Sequence, residues 1–209
     1  MNLIRKPIEI IRENKKVFII FNAIFYGLVI ISMIITSFYP ELQKDALEGV
    51  NKTLSAGGLA STVSSAYGNS NLLAAMGLTF FINIAIGAFL TMTLPSLVIP
   101  FSGLLMGLYR AISWGIIFSP ITPDMKAIMI PHYLTLLIEG QAYIVAMFAI
   151  YLQGKYFLFP IAIGMKSRLN GYKQGLIQTS WLYVPITVLL LVGAIYEAIE
   201  VILLVPLFN

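Results

Sequence analysis

One apolar segment, residues 131–154, constrains the fold of this chain more than any other feature. It reads PHYLTLLIEGQAYIVAMFAIYLQG, and its length suits a helix that crosses a bilayer, which requires roughly 20 apolar residues. The segment nevertheless begins with His132, the only histidine of the chain, and carries Glu139 well inside its apolar run. Because a carboxylate at that depth is costly in hydrocarbon, we expect the rest of the chain to be arranged around this helix.

The composition is that of an integral membrane protein. Of the 209 residues, 59% are hydrophobic and only 11% are charged, whereas soluble domains carry about a quarter charged residues. A chain of this length suffices for one compact helical bundle, so we predict a single transmembrane domain over residues 1–209. The chain has no cysteine, which excludes disulfides, thiol catalysis and cysteine metal sites.

Five apolar runs predict an all-α fold, a polytopic transmembrane helical bundle. Two amphipathic helices are predicted in addition. The first covers residues 1–16, where Ile4, Ile8 and Ile11 recur at helical spacing, and the second is an extracytoplasmic helix in the loop 41–71, where apolar residues recur every four positions. The predicted spans cover residues 17–38, 72–94, 96–118, 131–153 and 182–207.

Two connecting segments have a composition that differs from that of the spans. The stretch SAGGLASTVSSAYGNSN follows the loop helix, and its small residues predict a mobile segment. The stretch KYFLFPIAIG, residues 155–164, follows the fourth span. It either prolongs that span or lies in the membrane interface.

The distribution of lysine and arginine predicts the orientation. The N-terminal segment holds five such residues and residues 155–180 hold four, whereas the loops on the other side hold three together. Basic residues accumulate on the cytoplasmic side of membrane proteins. We therefore predict a multi-pass protein of the cell membrane with a cytoplasmic N-terminus and an extracytoplasmic C-terminus.

Charged side chains inside the predicted spans mark the candidate site. Arg110 follows Gly103 and Gly107, a G-x-x-x-G pair that lets another helix pack closely. We expect Arg110 to pair with Glu139, since either charge alone is unfavourable in hydrocarbon. The predicted intramembrane polar cluster is completed by Glu197 and Glu200, and further polar helix contacts are predicted at Asn83, His132, Gln141 and Tyr143.

Three sequence features together resemble the stage II sporulation protein M-like family of membrane proteins. RENKK runs directly into the first span, and YPEL opens the loop that follows it. Pro-His at 131–132 precedes Glu139, with Ala142 three residues later, and AIYEAIE (194–200) ends near the C-terminus in a glutamate. Better-known members have a glycine after the histidine, where this chain has Tyr133. The resemblance implies a membrane scaffold or a subunit of a larger membrane complex.

The sequence does not predict an enzyme. One histidine and no cysteine leave no H-E-x-x-H, no Cys-x-x-Cys and no Ser-His pair with a glycine-flanked nucleophile. We therefore expect neither a cofactor nor a metal site.

Two function classes remain. A scaffold or complex subunit would use the polar side chains to hold helices together. A transporter or channel component, such as the permease subunit of an ATP-driven exporter, would line a pathway with them. The expected partners are the lipid bilayer, other membrane or envelope proteins and further copies of the chain in a homo-oligomer, with no nucleic acid among them.

Overall fold

Helices form nearly all of residues 2–207, the part of the chain that the computed structural model describes, and this part contains no β-strand. The predicted all-α bundle is confirmed. Residues 1 and 208–209 of the predicted domain lie outside the described residues. The helices are α1 (Asn2–Glu13), α2 (Lys15–Phe38), α3 (Glu41–Ser55), α4 (Leu59–Gly68), α5 (Leu72–Val98), α6 (Ser102–Ile117), α7 (Pro123–Leu158) and α8 (Arg168–Leu204).

Within residues 2–207, four helices are long and apolar enough to cross a membrane, namely α2, α5, α7 and α8. The predicted third span, residues 96–118, is not among them, so the structure has four membrane-length helices where five were predicted. The helix breaks at Pro100 and Phe101, because proline interrupts helical hydrogen bonding and Phe101 has a φ of 69°. Residues before the break extend α5, and residues after it form α6, which has only 16 residues.

The short helix α6 nevertheless packs inside the bundle, antiparallel to α7. At one end of α6, Phe101 lies against Gly154 of α7. At the other end, the rings of Phe118 and His132 have centroids 4.4 Å apart. The segment around α6 therefore accompanies α7 over most of its length.

Helix α7 occupies the centre of the bundle. Every side chain from residue 142 to residue 150 is buried, and a helix buried on all its faces has neighbours on all sides. By contrast, α2 exposes more than half of Ile19, Ile30 and Ile34, which suits a surface in contact with lipid. The expectation that the chain is arranged around residues 131–154 is confirmed.

Both predicted amphipathic helices form. Helix α1 docks on α8. Its Pro7 and Ile10 are buried, and Ile10 lies beside Trp181 of α8. Helix α3 contacts the end of α6 in part through a polar side chain. Nε2 of the buried Gln43 donates hydrogen bonds to the carbonyls of Ile117 at 2.9 Å and Ser119 at 2.8 Å. Gln43 thus satisfies carbonyl groups that the end of α6 leaves without intrahelical partners.

The segment predicted to be mobile, within residues 55–71, forms helix α4 rather than an irregular connection. Ala66 is buried, and the hydroxyl groups of Tyr67 and Thr79 lie 2.9 Å apart in a hydrogen bond between α4 and α5. Small residues make a segment appear flexible, but they also let a helix pack closely on its neighbour. In this chain they serve the second purpose.

Residues 155–164 are divided between the two alternatives. The first four prolong α7, which ends at Leu158. The rest form a turn that contains the short helix Ile161–Ile163 and ends at Gly164, whose φ is 75°. Glycine adopts this left-handed conformation without steric cost.

Candidate functional site

A polar cavity of about 240 Å³ lies between α4, α5, α6, α7 and α8. The elements that enclose it are far apart in sequence, and each contributes at least one polar or aromatic side chain. We refer to it as the polar cavity. Its polar and aromatic lining comprises Tyr67, Thr79, Asn83, Arg110, Trp114, Phe118, His132, Thr135, Glu139 and Glu197.

Glu139 lies midway along α7, and only 5% of its surface is exposed. Its Oε1 accepts a hydrogen bond of 2.7 Å from Nδ2 of Asn83 on α5. On the α8 side it faces Gly193, where an added Cβ would lie 2.8 Å from Cγ of Glu139. The missing side chain of this glycine therefore makes room for the carboxylate inside the bundle.

Asn83 belongs to an unusual part of α5. Residues Ile82–Thr93 form a π-helix, and π-helical turns inside α-helices are frequent at functional sites. Gly87 in the same stretch faces the hydroxyl of Tyr143, which would lie 2.8 Å from an added Cβ, and the guanidinium of Arg110 at 3.1 Å. The π-helical stretch thus carries the amide that binds Glu139 and the glycine that admits two further polar side chains.

The predicted ion pair between Arg110 and Glu139 is absent from the structure of residues 2–207. The guanidinium carbon of Arg110 lies 4.0 Å from the ring centroid of Tyr143 and 6.0 Å from that of Trp114. Cation–π attraction is appreciable at these distances. The prediction fails because aromatic rings hold the cation while an amide, Asn83, binds the carboxylate.

Glu200 is fully buried and is held by two side chains of α7. Its Oε1 lies 2.7 Å from Nδ1 of His132, and its Oε2 accepts a hydrogen bond from the hydroxyl of Thr135. A second π-helical stretch, Glu200–Leu204, begins at this residue. Glu200 adjoins the polar cavity behind His132 and Thr135 and does not line it.

Glu197 lines the polar cavity one helical turn before Glu200. Its carboxylate has no hydrogen-bond partner among the described residues. Of the predicted cluster, Arg110, Glu139 and Glu197 therefore share one cavity and Glu200 lies next to it. Glu197 is the member whose acceptor oxygens are available to a bound solute.

The other predicted polar contacts differ in outcome. Tyr143 contacts Arg110 through its ring, and its buried hydroxyl has no hydrogen-bond partner among the described residues. His132 and Asn83 hold the carboxylates described above, whereas Gln141 faces the opposite side of α7. Nε2 of Gln141 donates hydrogen bonds to Oδ1 of Asn22 at 2.7 Å and to the hydroxyl of Tyr26 at 3.1 Å. Gln141 therefore joins α7 to α2 and is not part of the polar cavity.

Gly103 and Gly107 occupy close helix contacts. Gly103 faces the backbone carbonyl of Met92 in α5, and an added Cβ at Gly107 would lie 2.6 Å from Sδ of Met147 in α7. The two glycines let α6 approach two neighbouring helices, as the G-x-x-x-G spacing indicates.

Five of the polar and aromatic lining residues escaped the sequence analysis: Tyr67, Thr79, Trp114, Phe118 and Thr135. Thr135 lies three residues after His132 and four before Glu139, so all three side chains share one face of a helix. This spacing alone indicates that Thr135 belongs to the site. Tyr67 of α4 has no such signal, because its segment reads as a flexible connection.

The polar cavity extends along α7 from His132 to Glu139 and no further. Beyond this depth the buried side chains of residues 144–150 are apolar. At the other limit the cavity is lined by Val63 and Tyr67 of α4. The cavity therefore lies between α4 and the middle of α7, and apolar packing follows it along α7.

The groups that the polar cavity offers are carboxylates, an amide, hydroxyls, an imidazole and a guanidinium. Within residues 2–207 no group of three histidine, aspartate or glutamate side chains is arranged to hold a metal ion. Comparisons of this chain with protein-family models, with curated proteins and with solved structures find no match.

Proposed function

We propose that this protein is a non-enzymatic membrane transport component whose polar cavity receives a small cationic or polar solute. One observation supports the proposal above all: Glu139 and Glu197 line one polar cavity inside the bundle, and Glu139 lies midway along α7. Ionisable side chains at this depth are rare in membrane proteins and generally belong to a substrate, ion or proton pathway. Solute sites of transporters also lie near the bilayer midplane.

The charges around the polar cavity favour a cation. Three carboxylates, those of Glu139, Glu197 and Glu200, lie in or beside it and are opposed by Arg110. A cleft lined by one sign of charge raises the local concentration of the opposite ion. Glu197 is the first contact expected for the solute, since its oxygens have no other partner among the described residues.

We infer that the protein lies in the cell membrane with its N-terminus in the cytoplasm. The support is the excess of lysine and arginine in the N-terminal segment and in residues 155–180. In this orientation α4 and the nearby limit of the polar cavity face the outside. The solute would then enter from the extracytoplasmic side.

A scaffold or complex subunit is the second candidate, and a separate observation favours it. Four polar side chains of α7 bind three different helices: Gln141 binds Asn22 of α2, Glu139 binds Asn83 of α5, and His132 and Thr135 bind Glu200 of α8. Such contacts also hold a rigid platform together. The sequence likeness to the stage II sporulation protein M-like family, proposed here as the family of this chain, agrees with this role, and other membrane or envelope proteins or further copies of the chain would be its partners.

Flux through reconstituted protein tests the transport proposal. Proteoliposomes would be exposed in turn to gradients of protons, Na⁺, K⁺ and methylammonium. We expect wild-type flux of at least one cation, strongly reduced by Glu139→Gln and by Glu197→Gln, because each substitution removes a carboxylate from the polar cavity. Glu48→Gln, at an exposed position of α3, is the matched control and should leave the flux unchanged.

Two outcomes would reject transport. One is wild-type flux no greater than that of protein-free vesicles for all four cations. The other is an equal effect of the variants at residues 48 and 139. Either result leaves the scaffold as the remaining candidate.

A further inference from the structure

Helix α1 buries only one edge of its apolar face. Pro7 and Ile10 are buried where α1 docks on α8, whereas Ile4 and Ile8 are 73% and 52% exposed. The last two residues are four positions apart and therefore share one side of the helix. An exposed apolar edge on a short amphipathic helix requires a covering surface, because water solvates it poorly.

The connection to α2 fixes where this edge can lie. Only Asn14 separates α1 from α2, a helix of membrane length. Nδ2 of Asn14 donates a hydrogen bond to the carbonyl of Ile10 at 3.1 Å, which ties the junction to the end of α1. Helix α1 therefore lies at the level where α2 leaves the hydrocarbon, which is the membrane interface.

Basic side chains flank the exposed edge. Arg5 and Lys6 each pair with Glu9, at 2.6 Å and 3.1 Å, and the hydrogen bond from Arg5 lowers the pKa of the Glu9 carboxyl. The Glu9 carboxylate thus remains ionised and is already paired with Arg5 and Lys6. Three further basic side chains are exposed and have no acidic partner among the described residues: Arg12, Lys15 and Lys16.

The same end of the bundle carries the α7–α8 connection, which repeats the combination of basic and apolar groups. Phe159, Ile161 and Leu169 are 58%, 85% and 62% exposed. Residues 2–16 and 155–173 together hold nine basic and two acidic residues, an excess of seven positive charges. The opposite end, residues 39–71 and 119–130, holds three basic and four acidic residues. The two ends therefore differ strongly in charge.

We propose that α1 and the α7–α8 connection form a binding surface for anionic lipid headgroups. Ile4 and Ile8 insert among the acyl chains of the leaflet, and the basic side chains contact lipid phosphates. Apolar insertion and attraction to anionic lipid act together in interfacial helices of this kind. The surface is separate from the polar cavity, so it stands whether or not the protein transports a solute.

A nitroxide spin label tests the insertion. The chain has no cysteine, so Ile8→Cys creates a unique labelling site. In vesicles that contain phosphatidylglycerol, we expect the label to be accessible to oxygen and shielded from a water-soluble nickel chelate. In pure phosphatidylcholine the shielding should be weaker. Val50→Cys, on the exposed side of α3 at the opposite end, is the matched control and should show no dependence on lipid charge.

Charge variants test the electrostatic part. Added phosphatidylglycerol should raise the unfolding temperature of the detergent-solubilised protein more than phosphatidylcholine does, because a ligand bound to the folded state stabilises it. In Arg12→Gln/Lys15→Gln/Lys16→Gln, each lost charge should lower the lipid affinity up to about fivefold, which corresponds to ~1 kcal/mol. The control Lys44→Gln/Lys52→Gln/Lys126→Gln should retain the full shift.

Two results would overturn the proposal. If the label at residue 8 is equally accessible to the nickel chelate in both kinds of vesicle, the helix does not lie on the lipid. If the label is equally shielded from the chelate in both kinds of vesicle and also in detergent, another protein surface or a second copy of the chain covers residue 8. Neither measurement involves flux, so failure here is distinguishable from failure of the transport proposal.

Discussion

Glu139 shows how this protein keeps a carboxylate inside a membrane-length helix without a cationic partner. The high free energy of a lone charge in hydrocarbon predicted a salt bridge with Arg110. Instead, Glu139 accepts a hydrogen bond from Asn83 and occupies the space left by Gly193. Hydrogen bonds to charged groups contribute about 1.5–3 kcal/mol. The cation, Arg110, is stabilised separately by the ring of Tyr143.

Two double-mutant cycles test whether Glu139 is stabilised by Asn83 rather than by Arg110. Asn83→Leu should lower the free energy of unfolding in detergent by about 1–3 kcal/mol, because Oε1 of Glu139 loses its donor. The coupling between Asn83→Leu and Glu139→Leu should exceed the coupling between Arg110→Leu and Glu139→Leu, since only residues in contact couple strongly. A larger coupling energy between Arg110 and Glu139 would contradict this and show that the two residues form an ion pair.

The sequence predicted the charged side chains of the site, but not how they pair. Glu139 and Arg110 attract notice because ionised groups are costly in hydrocarbon, and that argument requires only their position in an apolar run. Their partners depend on how neighbouring helices are rotated. The π-helical stretch Ile82–Thr93 changes that rotation for α5, and no residue pattern in the apolar run announces it.

At the scale of elements, small residues determine which helices pack closely. Gly115 of α6 faces the carbonyl of Val29 and the side chain of Ser32 in α2, so the two backbones nearly touch. The α2–α6 contact is thus built on a missing side chain, as in other tightly packed membrane helices.

Gly115→Ala should therefore destabilise the bundle. Its Cβ would meet backbone atoms of α2, which cannot move aside as a flexible side chain would, and overpacking typically costs about 1–3 kcal/mol. Gly27→Ala is the matched control: nothing lies within 4 Å of its added Cβ, so it should be neutral or stabilise α2 by up to about 1 kcal/mol. Thermal unfolding in detergent measures both, and equal effects would contradict the close contact.

Apolar runs predicted the membrane-length helices well and the shorter elements less well. Four runs became α2, α5, α7 and α8 because length and apolarity suffice to specify such helices. Residues 96–118 are largely apolar, yet the helix breaks at Phe101, which has a left-handed backbone conformation. Because phenylalanine is itself apolar, the hydrophobic pattern does not reveal this break. Helix α4 was missed because its stability comes from packing on α5 rather than from its own composition.

At the scale of the whole molecule, the short α6 decides the topology. We expect a reporter fused near Lys166 to be cytoplasmic and one fused after Asn209, which lies outside the described residues, to be extracytoplasmic. This result requires that α6 traverse the membrane together with the four longer helices. If both reporters lie on the same side, α6 does not cross, and only the membrane-length helices do.

The burial of α7 also has a consequence for biosynthesis. Most residues in its apolar middle are buried, whereas most of those in α2 are not, and α7 is the less apolar of the two helices. A helix that meets other helices rather than lipid can carry more polar residues, but it enters the membrane less readily alone. Ribosomes complete α2, α5 and α6 before α7 and add α8 after it. We therefore expect α7 to insert in contact with α2, α5 and α6. The face of α7 that packs on α8 stays uncovered until α8 has been synthesised.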